Sequence, residues 1–328
     1  MSLNHKTRRF LGVDIGGTSV KIALCDGTGR ILRSSSFRTQ ASERSSEEIV
    51  LLIAEHSREL SRHEGIQPHE ISGMGIGSPG SINVQKGEVI FAGNLPFKNF
   101  PLKASLEKEL GMAVVLGNDA NVAALAEHLL GAGRGSSFSM TITIGTGIGS
   151  GIIIDGNIYA GANGAGCECG HMVIHRGGEA CSCGRRGCFE AYASAPALIR
   201  RTKERVEQYP DSLLAGQAHQ SRHIGGRTAF QAAAMGCPVA KNLLNDYFED
   251  LAIGLGNLAN CFFPERMILG GGISQEGEAF KEALQPLFEK ELFKAEGLPQ
   301  PQLYLAKLGN RAGVIGAALM AEKALYGD

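Results

Sequence analysis

Residues 171–190 read HMVIHRGGEACSCGRRGCFE. Within them His171, Cys181, Cys183 and Cys188 offer one imidazole and three thiolates. Four soft nitrogen and sulfur donors make the complete shell of a tetrahedral zinc site. Gly184 and Gly187 permit the tight backbone that would gather three sulfurs. With every position taken by protein, no place remains for a reactive water, so such a metal would be structural. The competing reading is a group of reduced, unliganded thiols. Glu168 and Glu190 bracket the donors, and carboxylates are good acceptors for the hydroxyls of a sugar.

Glycine-rich segments lie on both sides of this window. The first is Asp14-Ile15-Gly16-Gly17-Thr18, with Lys21 beyond. Its successive N–H groups could cradle an anion, and Asp14 could hold Mg²⁺ through water. An ordinary tight hairpin accounts for the same residues. The second runs Thr143-Ile144-Gly145-Thr146-Gly147-Ile148-Gly149-Ser150-Gly151. It offers free N–H groups and a hydroxyl suited to the outer phosphates of a nucleotide. In the third, Gly270-Gly271-Gly272 follow a strand, so a base or ribose could lie against bare backbone, or the turn is a simple loop. Between the first two stands Gly117-Asn118-Asp119-Ala120. Asp119 sits at a strand–helix junction, where α/β sheets take ligands. It is either a helix cap or the base that accepts the proton of an attacking hydroxyl.

The elements that position these residues follow from periodicity and turn signals. Residues 9–24 predict two strands around Gly16-Gly17, and 30–38 a third. Residues 46–64 carry a helical stripe of Ile49, Leu52, Ile53 and Leu60. Residues 71–77 predict a buried strand broken by Pro79-Gly80, 102–110 a short helix, 113–116 a strand and 119–130 a helix capped by Asn118 or Asp119. Residues 140–144 and 151–154 predict a hairpin. Helices are expected at 195–209, 238–263 and 311–325, strands at 266–269 and 303–305, and a polar loop at 210–226. Each half of the chain opens with strands around a glycine turn, GVDIGGTSVKIAL and then TITIGTGIGSGIII, a coarse internal echo.

Composition narrows the class. The 328 residues suffice for two lobes and a sizeable core. Lys+Arg number 32 against 33 Asp+Glu, so net charge argues for neither nucleic acid nor an anionic membrane. Five of the eight cysteines, Cys167 and Cys169 among them, crowd into one short window, unlike a secreted disulfide scaffold. The N-terminal MSLNHKTRRF has no apolar core of a signal peptide. The uncharged run 140–154 falls short of the roughly 20 apolar residues of a membrane span. A reducing cytoplasm is the expected compartment.

The order of these motifs resembles the ROK family of sugar kinases and repressors, from Asp14 to the helix around Gly316. Its most specific part is the pattern met by Gly170-His171, Cys181, Cys183, Cys188 and Glu190. The resemblance implies an α/β, two-lobe actin/hexokinase-like (ribonuclease H-like) fold with a central nucleotide and sugar cleft. The implied lobes are residues 1–117 plus 311–328, and 118–310 with the zinc loop. It implies nucleotide contacts from Asp14, Gly16, Gly17, Thr18, Lys21, Gly145, Thr146, Gly147, Gly271 and Gly272. Sugar contacts are implied for Gly80, Asn94, Asn118, Asp119, Glu168, His171 and Glu190, with Asp119 the catalytic base. His171, Cys181, Cys183 and Cys188 become the zinc ligands, His171 turning its other ring nitrogen to the sugar. One position departs from the pattern: Cys167 stands where the family usually has glycine. If that position needs positive φ, the cysteine is strained there.

The implied activity is ATP- and Mg²⁺-dependent phosphorylation of a hexose at its 6-hydroxyl. Gly77-Ser78-Pro79-Gly80 and Asn94-Leu95-Pro96 resemble the glucokinases of the family, which makes glucose the leading acceptor. N-acetylmannosamine or N-acetylglucosamine is the alternative acceptor, and polyphosphate an alternative donor. A non-catalytic sugar-responsive regulator is the rival reading. About a dozen residues precede Asp14, too few for a DNA-reading helix-turn-helix. The resemblance further implies a homodimer or larger assembly.

Overall fold

The computed structural model describes residues 7–221, 223–294 and 296–327. Met1–Lys6, where the N-terminal reading partly falls, Arg222 in the expected polar loop and the terminal Asp328 lie outside the described residues. Contacts divide the chain into two units. The first comprises Met1–Thr141, Gly151–Cys167 and Lys307–Asp328, the second Ile142–Ser150 and Glu168–Ala306.

In the first unit, β1 (Arg9–Ile15), β2 (Ser19–Asp26) and β3 (Ile31–Arg38) form an antiparallel meander. Helix α1 (Ser46–His63) starts on a capping box: Ser45 Oγ accepts the Glu48 N–H at 3.1 Å, and Glu48 Oε2 accepts the Ser45 N–H at 2.7 Å. Strand β4 (Ile71–Ser78) returns parallel to β1. A small sheet of β5 (Ser81–Asn83), β6 (Glu88–Phe91) and β7 (Lys98–Phe100) follows. Next come α2 (Leu102–Leu110), β8 (Val114–Asn118) and α3 (Asp119–Leu130). The main sheet has the order β3-β2-β1-β4-β8. One core cluster joins this sheet to α1 and α2 through Leu11, Ile22, Ile49, Ile53, Leu106 and Leu116.

Strands β9 (Phe138–Ile144) and β10 (Ile148–Ile154) run through the division between units, and β11 (Asn157–Tyr159) follows. The second unit contains α4 (Glu190–Ala193), α5 (Ala195–Gln208), α6 (Leu213–Ser221), α7 (Thr228–Ala234) and α8 (Pro238–Phe262). Strand β12 (Arg266–Gly270), α9 (Glu278–Glu291) and β13 (Gln302–Leu305) complete it, and α10 (Ala312–Tyr326) belongs to the first unit. The second large sheet has the order β11-β10-β9-β12-β13. This repeats the first sheet strand for strand, third-second-first-fourth-fifth, so the sequence echo is an echo of topology.

Two features differ from expectation. The 210–226 segment is not all loop: α6 occupies Leu213–Ser221. Ser212 Oγ accepts the Ala215 N–H at 3.2 Å, and Leu214, Ala215 and Ala218 are buried, so a cap and one apolar face outweigh the polar composition. The first unit also runs past Gly117, where a lobe boundary was expected, because α3 packs along α10. Helix α10 in turn lies on β1 and β4 at van der Waals distance. A Cβ on Gly12 would overlap the Val314 carbonyl, one on Gly75 the Ala317 carbonyl, and one on Gly316 the Val122 carbonyl. No helix among the described residues is long and apolar enough to cross a membrane.

Candidate active site

The first unit brings several sequence-predicted residues to one sheet edge. Asp14 pairs in register with Gly77, Gly77 with Gly117, and Ser78 with Asn118. The carboxyl ends of parallel strands thus gather Asp14, Asn118 and Asp119, with Gly80 two residues beyond β4. Such an edge is the usual ligand site of an α/β sheet. The Gly16-Gly17-Thr18 loop is pinned by the residue that follows β3: Thr39 Oγ donates to the Gly16 carbonyl at 2.6 Å, and the Thr39 N–H to the Thr18 carbonyl at 3.0 Å. A Cβ on Gly17 would lie 3.0 Å from the Asn94 Cβ, so the phosphate-type loop meets a predicted sugar contact directly. Lys21 Nζ lies 3.7 Å from Asp14 Oδ2 and donates to the Asn310 carbonyl at 3.4 Å. Burial pushes the Asp14 carboxyl above its ordinary value, while the Lys21 ammonium pulls it back.

Asn118 decides the choice of cap. Its Oδ1 accepts the N–H groups of Ala120 and Asn121 at 3.0 and 3.2 Å. Asp119 is therefore the first residue of α3 rather than its cap, half-buried, with Oδ1 accepting the Ala120 N–H at 2.8 Å. Its carboxylate lies at the positive end of the helix. Gly80, at φ +91°, packs against the Phe91 carbonyl of β6.

The second unit holds the remaining candidates. The ligand atoms of His171, Cys181, Cys183 and Cys188 all lie within 4.8 Å of one another. His171 Nδ1 is 3.6 Å from Cys181 Sγ, and Cys183 Sγ is 3.7 Å from Cys188 Sγ. Zinc with Zn–S of about 2.3 Å and Zn–N of about 2.0–2.1 Å sets tetrahedral edges of about 3.6 Å for S···N and about 3.8 Å for S···S, so the donors fit the ion. Neither Cys167 nor Cys169 joins the four. Without metal, burial pushes the Cys188 thiol up to about 12, while the Arg185 N–H holds Cys183 below its usual value.

Around this cluster, Glu168 opens the 3₁₀ turn Cys169–His171 and is exposed. Glu190 Oε2 accepts the Ile148 N–H at 3.0 Å, beside the 145–147 loop. Thr146 lies between Gly145 and Gly147, whose N–H to carbonyl bond of 3.0 Å closes that turn. Gly271, at φ +89° and followed by Gly272, packs on the Ile144 backbone. Cys167, the last residue of the first unit before Glu168, has φ +67°: the position does require a left-handed backbone. Its Sγ donates to the Tyr159 carbonyl at 3.0 Å.

The sequence profile of the ROK family matches residues 10–324. The chain belongs to the ROK family. The glucokinase of Streptomyces coelicolor is 37% identical to this ROK chain over 317 residues, 95% of this chain and 97% of that protein. The glucokinase of Thermotoga maritima is 36% identical over 322 residues, 97% and 99% of the two chains. The crystal structure of a ROK family glucokinase from Streptomyces griseus, in complex with glucose and AMPPNP, matches with a TM-score of 0.81 at 36% identity, covering 96% of this chain and 99% of that one. The ROK fold here is therefore α/β of the actin/hexokinase-like type, as the motif order implies.

Two supports of the ROK site were not read from the sequence. Buried Glu127 on α3 accepts three backbone N–H groups, from Leu308 at 2.7 Å, Ala132 at 2.9 Å and Lys307 at 3.1 Å, which ties α3 to the approach of α10. The signal was a lone carboxylate in the apolar run AALAEHLL. In the second unit, Asp250 of α8 pairs with His175 Nε2 at 2.6 Å and with Arg201. His175 is four residues past His171, so this pair moors the cysteine loop to α8. Asp250→Asn would leave the largely buried Arg201 guanidinium without its carboxylate partner. We expect a loss of about 3 kcal/mol, read as a lowered melting temperature.

Proposed function

We propose that this ROK chain transfers the γ-phosphoryl group of ATP to the 6-hydroxyl of glucose. The observation that carries the reading is the match to glucokinases at 36–37% identity along nearly the whole chain. The site supports it with a half-buried carboxylate, Asp119, in the first turn of α3 and a glycine loop that touches Asn94. Asp119 accepts the hydroxyl proton as the sugar oxygen bonds to phosphorus and the bond to the ADP oxygen breaks. Phosphoryl transfer is largely dissociative, so positioning outweighs basicity. Asn118 needs its Oδ1 for the helix cap, which leaves its amide N–H₂ to donate to a sugar oxygen. Gly80, Asn94, Glu168, His171 and Glu190 complete the sugar contacts. Gly16, Gly17, Thr18 and Lys21, with Gly145, Thr146 and Gly147, take the phosphates, and Gly271 and Gly272 the nucleoside. Asp14 is the residue to hold Mg²⁺, which neutralises phosphate charge when bound. A divalent charge would hold the Asp14 carboxyl ionised against the effect of burial.

His171, Cys181, Cys183 and Cys188 are the residues to hold Zn²⁺, whose contribution is structural. His171 then keeps Nε2 for a sugar hydroxyl, since Nδ1 is the nitrogen facing the cysteines. The active form is a homodimer or larger. A coupled assay with ATP and glucose, followed by phosphorus NMR of the product, tests the reading. Phosphorus coupled to the C6 protons is expected; phosphate on another carbon, or no transfer from ATP, contradicts it.

Cys167 makes a graded prediction. It already adopts positive φ, which a β-branched side chain tolerates far less well. Cys167→Val is expected to cost about 1–2 kcal/mol and to raise the glucose KM by displacing the adjoining Glu168. Cys167→Gly is expected to do neither. Thermal melts together with steady-state glucose kinetics check both variants.

A further inference from the structure

We infer that Glu190 is a positioning residue for the 145–147 loop as well as a sugar contact, so that the 181–188 loop sets nucleotide affinity through it. The inference rests on the reading of residues 145–147 as a phosphate site. Both carboxylate oxygens of Glu190 are engaged within the second unit. Oε2 accepts the N–H of Ile148, the residue that follows the glycine loop, at 3.0 Å. Oε1 accepts Ser182 Oγ at 3.1 Å, and Cys181 Sγ lies 3.9 Å from the same oxygen. Ser182 stands between Cys181 and Cys183, so one carboxylate joins the two loops.

Gly147 marks where the strut passes, because a Cβ there would overlap Glu190 Oε2. A Cβ on Gly145, by contrast, would meet nothing within 4 Å. The two glycines therefore have different reasons. Gly145 leaves its side of the loop open, and Gly147 makes room for the carboxylate. The loop's other tie is the Gly145 carbonyl, which accepts the Ala195 N–H at 2.9 Å. It is thus held at one end by the start of α5 and at the other by Glu190. A charged acceptor makes the stronger kind of hydrogen bond, and a loop that loses it must be ordered again at the expense of the bound nucleotide.

A carboxylate that only binds sugar does not affect nucleotide binding when sugar is absent; a strut does. The test is calorimetric titration of AMPPNP with Mg²⁺, without sugar, into the full chain and its variants. Glu190→Ala is expected to weaken AMPPNP about tenfold or more, and Ser182→Ala about threefold. Glu190→Gln is expected to remain within about twofold, because its carbonyl oxygen can accept the Ile148 N–H while its amide donates to Ser182 Oγ. Melting curves verify that each variant is folded. Should Glu190→Ala not fold, the exposed Ser182→Ala decides. Equal AMPPNP affinity in the wild-type, Glu190→Ala and Ser182→Ala chains would overturn the inference. Failure of the wild-type chain to bind AMPPNP would remove the phosphate reading of the loop, and the inference with it.

Discussion

Asp119→Asn is expected to lower kcat for glucose by about 10²–10⁴-fold, the usual contribution of a general base. Glucose affinity should change by no more than a few-fold. The asparagine keeps the size of the side chain and an oxygen for the Ala120 N–H, which Asp119 Oδ1 accepts at 2.8 Å. Asn118 supplies the cap of α3, so the helix start does not depend on Asp119 and the variant should melt close to wild type. This separates chemistry from folding: kcat falls while melting temperature and glucose binding stay. Single-turnover kinetics with saturating ATP and glucose, beside calorimetric glucose binding, measure both halves. A variant within a few-fold of wild-type kcat removes Asp119 from the role of base.

Loss of one thiolate from the cysteine cluster should have the largest effect on stability. Cys188 is fully buried, and without metal its thiol is pushed up to about 12, first by burial and then by the neighbouring Cys183 and Cys181. A bound zinc ion reverses that, since a coordinating thiol gives up its proton. Apparent binding energies of structural zinc reach about 10–16 kcal/mol in small peptides, so even a fraction of that would dominate the stability of the 171–190 loop. Cys188→Ser is expected to lose the metal, to melt several degrees lower and to raise the KM for both sugar and ATP. Chelation of the wild-type chain should do the same, with protons taken up as zinc leaves. Metal analysis finding about one zinc per wild-type chain and little in Cys188→Ser checks the claim; fully active wild-type protein without zinc would refute it.

How much of this was legible in the sequence follows from range. The four zinc donors lie within eighteen positions, and the spacing of their side chains is a local matter. The strands and helices with clear periodicity, such as α1 and α8, could be read for the same reason. Helix α9 could not. Pro286 stands inside it, and proline reads as a breaker although Phe280, Leu284 and Phe288 form a buried stripe at helical spacing. The β5–β7 sheet was passed over because its strands have only three or four residues, and Phe91 on its central strand and Asn99 on an outer one are exposed. Long-range partnerships were invisible. Nothing near Glu127 names the backbone of Lys307 and Leu308, and nothing near Gly147 names Glu190. Gly147 was read as a phosphate glycine from its neighbours, and the structure adds a carboxylate from 43 positions away. Cys167 lies between these cases. Its departure from the family pattern could be read, but its positive φ is set by the fold around it.

The central claim is that glucose is the acceptor. An acetamido group at carbon 2 adds bulk and an amide to a pocket built for a hydroxyl, at a cost of about 1–3 kcal/mol in unpaired polar groups. That corresponds to roughly ten- to hundredfold in rate. The most direct measurement is kcat/KM for glucose, N-acetylmannosamine and N-acetylglucosamine at fixed ATP and Mg²⁺. The account predicts glucose ahead of both acetylated sugars by at least about tenfold; an acetylated hexosamine ahead by that margin, or no turnover of any of the three, would contradict it.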